Sequence, residues 1–547
     1  MDNVLGLLRD YPLLLLFVVL ALGYPLGKIQ IAGARLGGVS ILFSGLAVGA
    51  LQPDLQIPVL ISNLGLVLFV YTIGINSGSS WLSSFRKQGW LYNVLVAGTL
   101  ILTTGLIIVT SLFLKMDASL ASGLFSGSLT NAAALAASLE WIRNNLLFPS
   151  DSISYLPVIT FAFTYPGGVA GMVLVMSIIK RVLKVNAQTD SLALRDIPSL
   201  NATLYTRTIR ITQTHTMTVA EFMRRHNLNI IFGRIRSGNE DFLATGKSVL
   251  RHNDLVTLIG TQAGIEAATN NLGEESDKQL ELDLTHYEQK NLLISNSHVA
   301  GRSLRDLDLV SRFGSMVIRL RRGDIEMLPH GDTVLNLGDQ IMVIAPHNQM
   351  SALSALLGDS VRTVSEVDLF TLSLGLGLGF VFGLAPIALP GGITFTLGLA
   401  SGPLLVALIL GAAGRTGPFV WSLPYNINLT LRQVGLSLFL AGIGVNAGNI
   451  FVSSIFQPVF LIIILIGFGI TCLSSLFVLL IGYKIFHIPL GVLFGIAAGM
   501  QTQPATLGYS LDQTQNELPN IGYTTVYPVA VVLKVILVQI LFLILSP

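Results

Sequence analysis

Two short polar segments, residues 127–132 and 499–504, interrupt the apolar parts of the chain. Their side chains can donate or accept hydrogen bonds: Thr130, Asn131, Gln501, Thr502 and Gln503. Gly127 and Gly499 let the backbone bend, and Pro504 removes a helical hydrogen bond and frees a carbonyl oxygen. Irregular backbone inside a membrane is tolerated where it lines a wet cavity or is buried in protein. We therefore expect two broken helices that bind a substrate; the alternative is that small residues merely allow close helix packing.

Three further residues are candidates to act with these segments. Lys534 lies in an apolar run, six residues after Pro528, where a charge is costly unless it faces a cavity or a partner. A cation at that depth would suit an anionic substrate; the alternative is that the side chain reaches for the membrane surface. Pro166 and Pro528 each follow a tyrosine in an apolar run and are predicted hinges.

The composition indicates a membrane protein. The chain has 547 residues, 52% hydrophobic and 11% charged, with a mean hydropathy of +0.70, far more apolar than a soluble protein of this size. Most charged side chains lie in residues 185–365, so two apolar blocks flank a soluble one. A net charge of +2 without a basic patch gives no support for nucleic-acid binding. A single cysteine, Cys472, excludes an internal disulfide and argues against a metal site.

Each apolar block holds five candidate spans of about 20 residues and one shorter segment rich in small residues, at 118–138 or 488–510. Lys and Arg concentrate in short cytoplasmic loops. Their positions put residue 1 outside and the soluble block in the cytoplasm, provided that the shorter segment adds no net crossing. An odd number of crossings makes the blocks inverted repeats, which are typical of secondary transporters with a substrate site near the bilayer midplane.

The two apolar blocks also share a sequence pattern. Residues 65–78 recur at 435–448 with a constant offset of 370, and the two polar segments are related by an offset of 372. Tyr165-Pro166 corresponds to Tyr527-Pro528 at an offset of 362. Three ordered matches with similar offsets indicate an internal duplication.

The soluble block contains a second duplication. Residues 236–254 match residues 321–339 at an offset of 85, and both copies alternate apolar and polar residues as strands do. We find no glycine-rich dinucleotide fingerprint and no catalytic constellation, so we predict neither an enzyme nor a cofactor. The predicted domains are a first transmembrane repeat at 1–184, small α/β domains at 200–272 and 285–362, and a second transmembrane repeat at 366–547.

With these pieces placed, the chain resembles the aspartate:alanine exchanger family over nearly its whole length. The resemblance is carried by the paired Gly-x-x-Thr-x-x-x-x-Leu segments, Gly127 to Leu135 and Gly499 to Leu507, and by the paired Tyr-Pro positions. The insert is similar to two tandem TrkA-C domains, most clearly from Gly323 to Asp339. The predicted fold class is thus a polytopic α-helical membrane protein: two inverted-repeat halves, each of about five transmembrane helices plus one broken or re-entrant segment, and a cytoplasmic insert of two TrkA-C-like domains.

The resemblance implies a multi-pass transporter of the bacterial inner membrane that exchanges small amino-acid or carboxylate anions. It also implies a small regulatory ligand at the cytoplasmic insert and suggests a homodimer. Alternatives are a cation/proton antiporter or channel gated by the TrkA-C-like domains, and a membrane sensor that does not transport. No potassium filter sequence is present, and the carboxylates Glu140, Asp54 and Asp117 fall at predicted span edges, which disfavours the cation systems.

Overall fold

The computed structural model describes residues 2–31, 34–84, 89–145, 151–183, 205–213, 217–226, 228, 230–238, 240–260, 262–276, 287–322, 325–360, 367–388, 394–514 and 518–546. The chain divides into two compact units. The membrane unit comprises Met1–Ser191, Leu369–Gly414 and Asn428–Pro547. The insert unit comprises Leu192–Asp368 and Arg415–Ile427.

The first half of the membrane unit consists mainly of apolar helices. They are α1 (Asp2–Asp10), α2 (Pro12–Leu26), α3 (Ser40–Gly49), α4 (Val59–Ser84), α5 (Gly89–Leu114), α6 (Ala118–Ser128), α7 (Ala132–Asn145) and α8 (Asp151–Leu183). Helices α4, α5 and α8 are each long and apolar enough to cross a membrane. The strands β1 (Gln30–Ile31) and β2 (Ala34–Arg35) form a short hairpin before α3. Helix α3 is therefore shorter than the spans of about 20 residues that the sequence predicts.

The insert unit contains two α/β units in succession. The first has β3 (Tyr205–Ile211), β4 (Met217–Thr218), α9 (Val219–His226), β5 (Ile230–Ser237), β6 (Glu240–Leu243), β7 (Val249–Leu250), β8 (Leu255–Gly260), α10 (Gln262–Leu272) and β9 (Gly273–Glu275). The second has β10 (Tyr287–Leu293), α11 (Leu304–Leu307), α12 (Leu309–Phe313), β11 (Met316–Arg322), β12 (Ile325–Met327), β13 (Gln340–Pro346) and α13 (His347–Leu357).

Both α/β units have the same sheet topology. The strand orders are β6-β5-β8-β3-β9 and β12-β11-β13-β10, which coincide over four strands. Alternating apolar side chains point into one core in each unit, as the period of two residues requires. Ile235 and Leu258 in the first core correspond to Leu320 and Val343 in the second at the offset of 85, and all four are fully buried.

The second half of the membrane unit repeats the order of the first. It contains α14 (Leu369–Leu384), the hairpin of β14 (Pro386–Ala388) and β15 (Thr394–Thr396), α15 (Gly398–Ala413), α16 (Tyr425–Ile455), α17 (Pro458–Lys484), α18 (Leu490–Gln501), α19 (Pro504–Thr514) and α20 (Leu518–Leu545). The short strands β16 (Arg415–Thr416) and β17 (Phe419–Val420) lie in the insert unit. The predicted fold class, two related membrane halves around an α/β insert, is confirmed.

Helices from the two halves mix to form two bundles. The scaffold bundle consists of α2, α3, α4, α14, α15 and α16, with α4 packed along α15 and α16 packed on α3 and α4. The core bundle consists of α5 to α8 and α17 to α20, with α6 on α8, α18 on α20, and α17 on both α5 and α8. Each bundle therefore contains equivalent elements of both repeats.

A glycine pair shows how closely the repeats meet in the scaffold bundle. A Cβ atom added to Gly65 on α4 would lie 2.6 Å from the carbonyl oxygen of Gly435 on α16, and one added to Gly435 would lie 2.7 Å from the carbonyl oxygen of Gly65. The same contact in both directions is what a two-fold relation between the repeats produces. Only glycine allows the two backbones to approach this closely.

We expect Gly65→Ala to destabilise the protein by about 1–3 kcal/mol, because the added methyl group would overlap backbone atoms of α16. Gly98→Ala on α5 is the matched control, since nothing lies within 4 Å of a Cβ atom at that position. Thermal unfolding in detergent, followed by size-exclusion chromatography, should show a lower Tm for Gly65→Ala alone. Equal Tm values for both variants would contradict the close packing.

Candidate substrate site at the paired helix breaks

Two helices of the core bundle are interrupted at equivalent positions. Helix α6 ends at Ser128 and α7 begins at Ala132, while α18 ends at Gln501 and α19 begins at Pro504. Thr130 (φ 48°) and Thr502 (φ 57°) both adopt left-handed backbone conformations. This conformation is unfavourable for a β-branched residue and persists only where its surroundings enforce it.

The two breaks form hydrogen bonds with each other. The Thr130 hydroxyl donates to the carbonyl oxygen of Gln501 (2.6 Å), and the Asn131 amide donates to the Thr502 hydroxyl (3.2 Å). The side-chain amide of Gln501 faces neighbouring carbonyl groups, which assigns its nitrogen to that side; in this orientation it donates to the carbonyl oxygen of Leu129 (3.1 Å). Polar groups of the two breaks, which would lack hydrogen-bond partners in the hydrocarbon of a membrane, therefore bind one another.

Lys534 lies behind the breaks. Its side chain is fully buried, and its Nζ donates to the carbonyl oxygen of Leu129 (2.8 Å) and to the Thr502 hydroxyl (3.3 Å). Lys534 thus contacts both breaks at once, but it is not among the residues that line the adjacent cavity. The equivalent residue of the first half, at the offset of 362, is Met172.

A cavity of about 370 Å³ opens between the breaks and the scaffold bundle. The breaks contribute Thr130, Asn131, Thr502, Gln503 and Pro504, and the predicted residue Gln501 is buried outside the lining. The scaffold contributes residues 36–39, Phe69, Ile73, Arg432 and Leu436. A mostly apolar wall with a few convergent polar groups is characteristic of a small-molecule site.

The predicted hinge residues lie in helices beside this cavity. Gly127 and Gly499 are helical, three residues before the left-handed threonines, and they allow α6 and α18 to pack closely against α8 and α20. Pro166 and Pro528 lie inside α8 and α20. Tyr165, which precedes Pro166, accepts a hydrogen bond from the Gln503 amide (2.7 Å).

Arg432 is the site residue that the sequence analysis missed. It lies on α16, lines the cavity, and donates a hydrogen bond to the Tyr527 hydroxyl on α20. Its guanidinium carbon is 5.4 Å from the Tyr527 ring centroid, a cation–π distance. Among the described lining residues it alone is charged. The signal in the sequence was an arginine at the start of an apolar run, a position that is also typical of cytoplasmic loop charges.

Duplicated halves whose broken helices meet at a cavity define a membrane transporter, and the comparisons with known proteins agree. The sequence model of the Asp-Al_Ex family, described as a predicted permease membrane region, matches residues 15–181 and 371–543. The TrkA-C domain matches residues 292–358, within the second α/β unit. No solved structure matches the chain.

Several bacterial relatives match over nearly full length, and each carries the description uncharacterized transporter. One from Geobacter sulfurreducens is 45% identical over 98% of this chain and 99% of its own. One from Symbiobacterium thermophilum is 41% identical over 99% of this chain and 100% of its own. One from Corynebacterium diphtheriae is 37% identical over 97% of this chain and 98% of its own. The chain therefore belongs to the Asp-Al_Ex family of transporters and carries a TrkA-C domain, as the aspartate:alanine exchanger resemblance predicted.

We expect Lys534→Met to lower the transport rate about tenfold or more. Methionine is chosen because it is the residue at the equivalent position of the first half, Met172. The change removes two hydrogen bonds from the buried amine to the breaks, each worth about 0.5–1.5 kcal/mol, so the breaks should lose their alignment. Met172→Leu is the control. Initial transport rates, normalised to folded protein recovered by size exclusion, provide the measurement; an unchanged rate for Lys534→Met would show that the lysine does not support the site.

Proposed function

We propose that the protein is a secondary active transporter that exchanges small amino-acid or other carboxylate anions by alternating access. The observation that carries this proposal is the cavity at the paired breaks, which lies between the two bundles and contains the cation Arg432. A guanidinium group matches the planar geometry of a carboxylate and can bind it with two parallel hydrogen bonds. The cavity of about 370 Å³ suits a small substrate.

The predicted site residues take different roles in this proposal. Thr130, Asn131, Thr502 and Gln503 present hydroxyl and amide groups to the substrate, and Pro504 leaves a carbonyl oxygen free beside them. Arg432 binds the substrate carboxylate. Lys534 and Gln501 lie outside the cavity lining, and their hydrogen bonds fix the position of one break relative to the other.

Alternating access follows from the arrangement of the bundles. The cavity walls come from both bundles, so a displacement of the core bundle along the scaffold bundle would carry the breaks, and the substrate held by them, away from the scaffold residues. The Arg432–Tyr527 contact joins α16 to α20 across this interface. Substrate that displaces Tyr527 from the guanidinium group would release the contact and bias the bundles toward movement.

Regulation and location complete the proposal. The protein resides in the bacterial inner membrane with the insert in the cytoplasm, where its TrkA-C-like domains bind a small regulatory ligand. A polar cleft of about 390 Å³ on the first α/β unit, lined by Arg207, Gln262, Thr269 and Asn270 among others, offers hydrogen-bonding groups for such a ligand. The alternative of a cation/proton antiporter is disfavoured, because a cation in the cavity would meet Arg432, and no metal-binding cluster occurs within the described ranges.

Counterflow in proteoliposomes tests the proposal. Vesicles loaded with aspartate, alanine or other small carboxylates should each be assayed for uptake of labelled solute. We expect trans-stimulation by at least one carboxylate and no dependence on potassium. Potassium-dependent flux without trans-stimulation by any carboxylate would instead support the cation system.

The role of Arg432 can be tested separately. We expect Arg432→Gln to raise the KM for the transported anion about tenfold or more, because it removes a charge-assisted bidentate contact worth about 1.5–3 kcal/mol. Arg432→Lys keeps the positive charge but cannot form the two parallel hydrogen bonds of a guanidinium group. Its KM should therefore fall between those of Arg432→Gln and the unmodified protein. Identical KM values in all three would place the anion elsewhere.

A further inference from the structure

Glu140, which the sequence places at a span edge, is buried between the two bundles. It lies near the end of α7, and its side chain is only 9% exposed. Its carboxylate accepts hydrogen bonds from the backbone N–H groups of Leu399 and Ala400, the latter at 2.6 Å. These groups belong to the first turn of α15, so the carboxylate of a core helix holds the start of a scaffold helix.

The backbone of α15 is shaped around this carboxylate. Gly398 has a φ of 81°, and a Cβ atom at this position would overlap the carboxyl group of Glu140. Beside it, the Gln539 amide on α20 donates to the Ser401 hydroxyl (2.9 Å), a second contact between core and scaffold. The equivalent carboxylate of the second half, Asp512 on α19, is exposed. Burial of the acid is therefore a property of one half only.

Few charged side chains lie on the helices that pack around Glu140. Arg143, one turn along α7, donates to Asn63 on α4 (3.3 Å). The packed helices α4, α6 and α15 contain no Asp, Glu, Lys, Arg or His. The remaining charged or titratable residues on α8 and α20, with the tyrosine of α4, are Asp151, Lys180, Arg181, Lys534, Tyr71, Tyr155, Tyr165, Tyr523 and Tyr527.

Glu140 is also linked to the substrate cavity through one helix. Asn131 caps the start of α7 by accepting a hydrogen bond from the N–H of Ala134 (2.7 Å) and lines the cavity. Glu140 follows nine residues later, about 13 Å along the helix axis at 1.5 Å per residue. Movement of the breaks relative to the scaffold therefore also moves Glu140 relative to α15.

We propose that Glu140 is a proton-binding site that couples transport to the proton gradient. When the core bundle moves, Glu140 loses the N–H donors of Leu399 and Ala400, and a carboxylate left unpaired in an apolar environment is too costly to persist. The displaced carboxylate takes up one proton from the solution on the side to which the moved core bundle opens. It returns as a neutral acid together with the substrate, and it releases the proton to the other side when it regains the N–H donors of Leu399 and Ala400. The inference rests on the proposed transport function and adds a co-transported proton to it.

The test compares net uptake with exchange in proteoliposomes. Glu140→Gln mimics the neutral acid, so we expect it to retain counterflow, in which the proton need not leave, and to lose at least tenfold of the accumulation driven by an imposed pH gradient. Asp512→Asn, the change at the equivalent exposed carboxylate, should retain both activities. Gradient-driven accumulation by Glu140→Gln equal to that of the unmodified protein would overturn the proposal, as would a parallel loss of both activities in folded Glu140→Gln.

A measurement on the unmodified protein keeps the proposal testable if Glu140→Gln does not fold. Net substrate uptake into weakly buffered vesicles that contain a pH-sensitive dye should be accompanied by proton entry. Counterflow without any substrate-driven proton movement would refute the role of Glu140 and leave the exchange function standing. Absence of counterflow itself would refute the transport proposal on which this inference rests.

Discussion

The hydrogen bonds that join the two helix breaks are the interaction on which the membrane unit depends. Each break exposes backbone groups that lipid cannot satisfy, at a cost of several kcal/mol each. The Thr130 hydroxyl donates to the backbone carbonyl oxygen of Gln501, and Lys534 donates to that of Leu129, so each repeat pairs a backbone group of the other. The Asn131 amide and the Thr502 hydroxyl add a side-chain hydrogen bond between the breaks. Neither half can therefore form its break alone, and the left-handed backbone at both threonines is maintained by the partner repeat.

Duplication supplies a nearly symmetric frame, and single charged residues make it asymmetric. The breaks, the hairpins before α3 and α15, and the reciprocal contact of Gly65 with Gly435 all have counterparts in both halves. Arg432 and Lys534 do not: their equivalents are Ser62 and Met172. Two identical halves would form a site with neutral polar groups only. The second half adds the buried amine of Lys534 behind the breaks and the guanidinium group of Arg432 in the cavity, and the guanidinium group favours an anion there.

The sequence predicted much of this frame because its signals are local. Long apolar runs identify the helices, the offsets between the repeats identify the duplication, and the two short polar segments identify the places where helices break. The mixing of the two halves into a scaffold and a core bundle has no local signal, since it depends on how distant helices pack. Arg432 and Glu140 were misjudged for this reason: a charged residue near a span end looks solvated until the helix packed against it is known. The short helix α3 also differs from prediction, because a hairpin occupies the start of its apolar run.

The central claim is that the cavity at the paired breaks binds the transported anion. The most direct measurement uses Cys472→Ser, which removes the only cysteine of the chain, with a new cysteine at Ala133 or Ala505, equivalent cavity positions in the two halves. The account predicts that a transported carboxylate slows modification of both cysteines by a thiol reagent, with half-protection at the concentration that half-saturates transport. Modification at either position that no transported solute slows would contradict it.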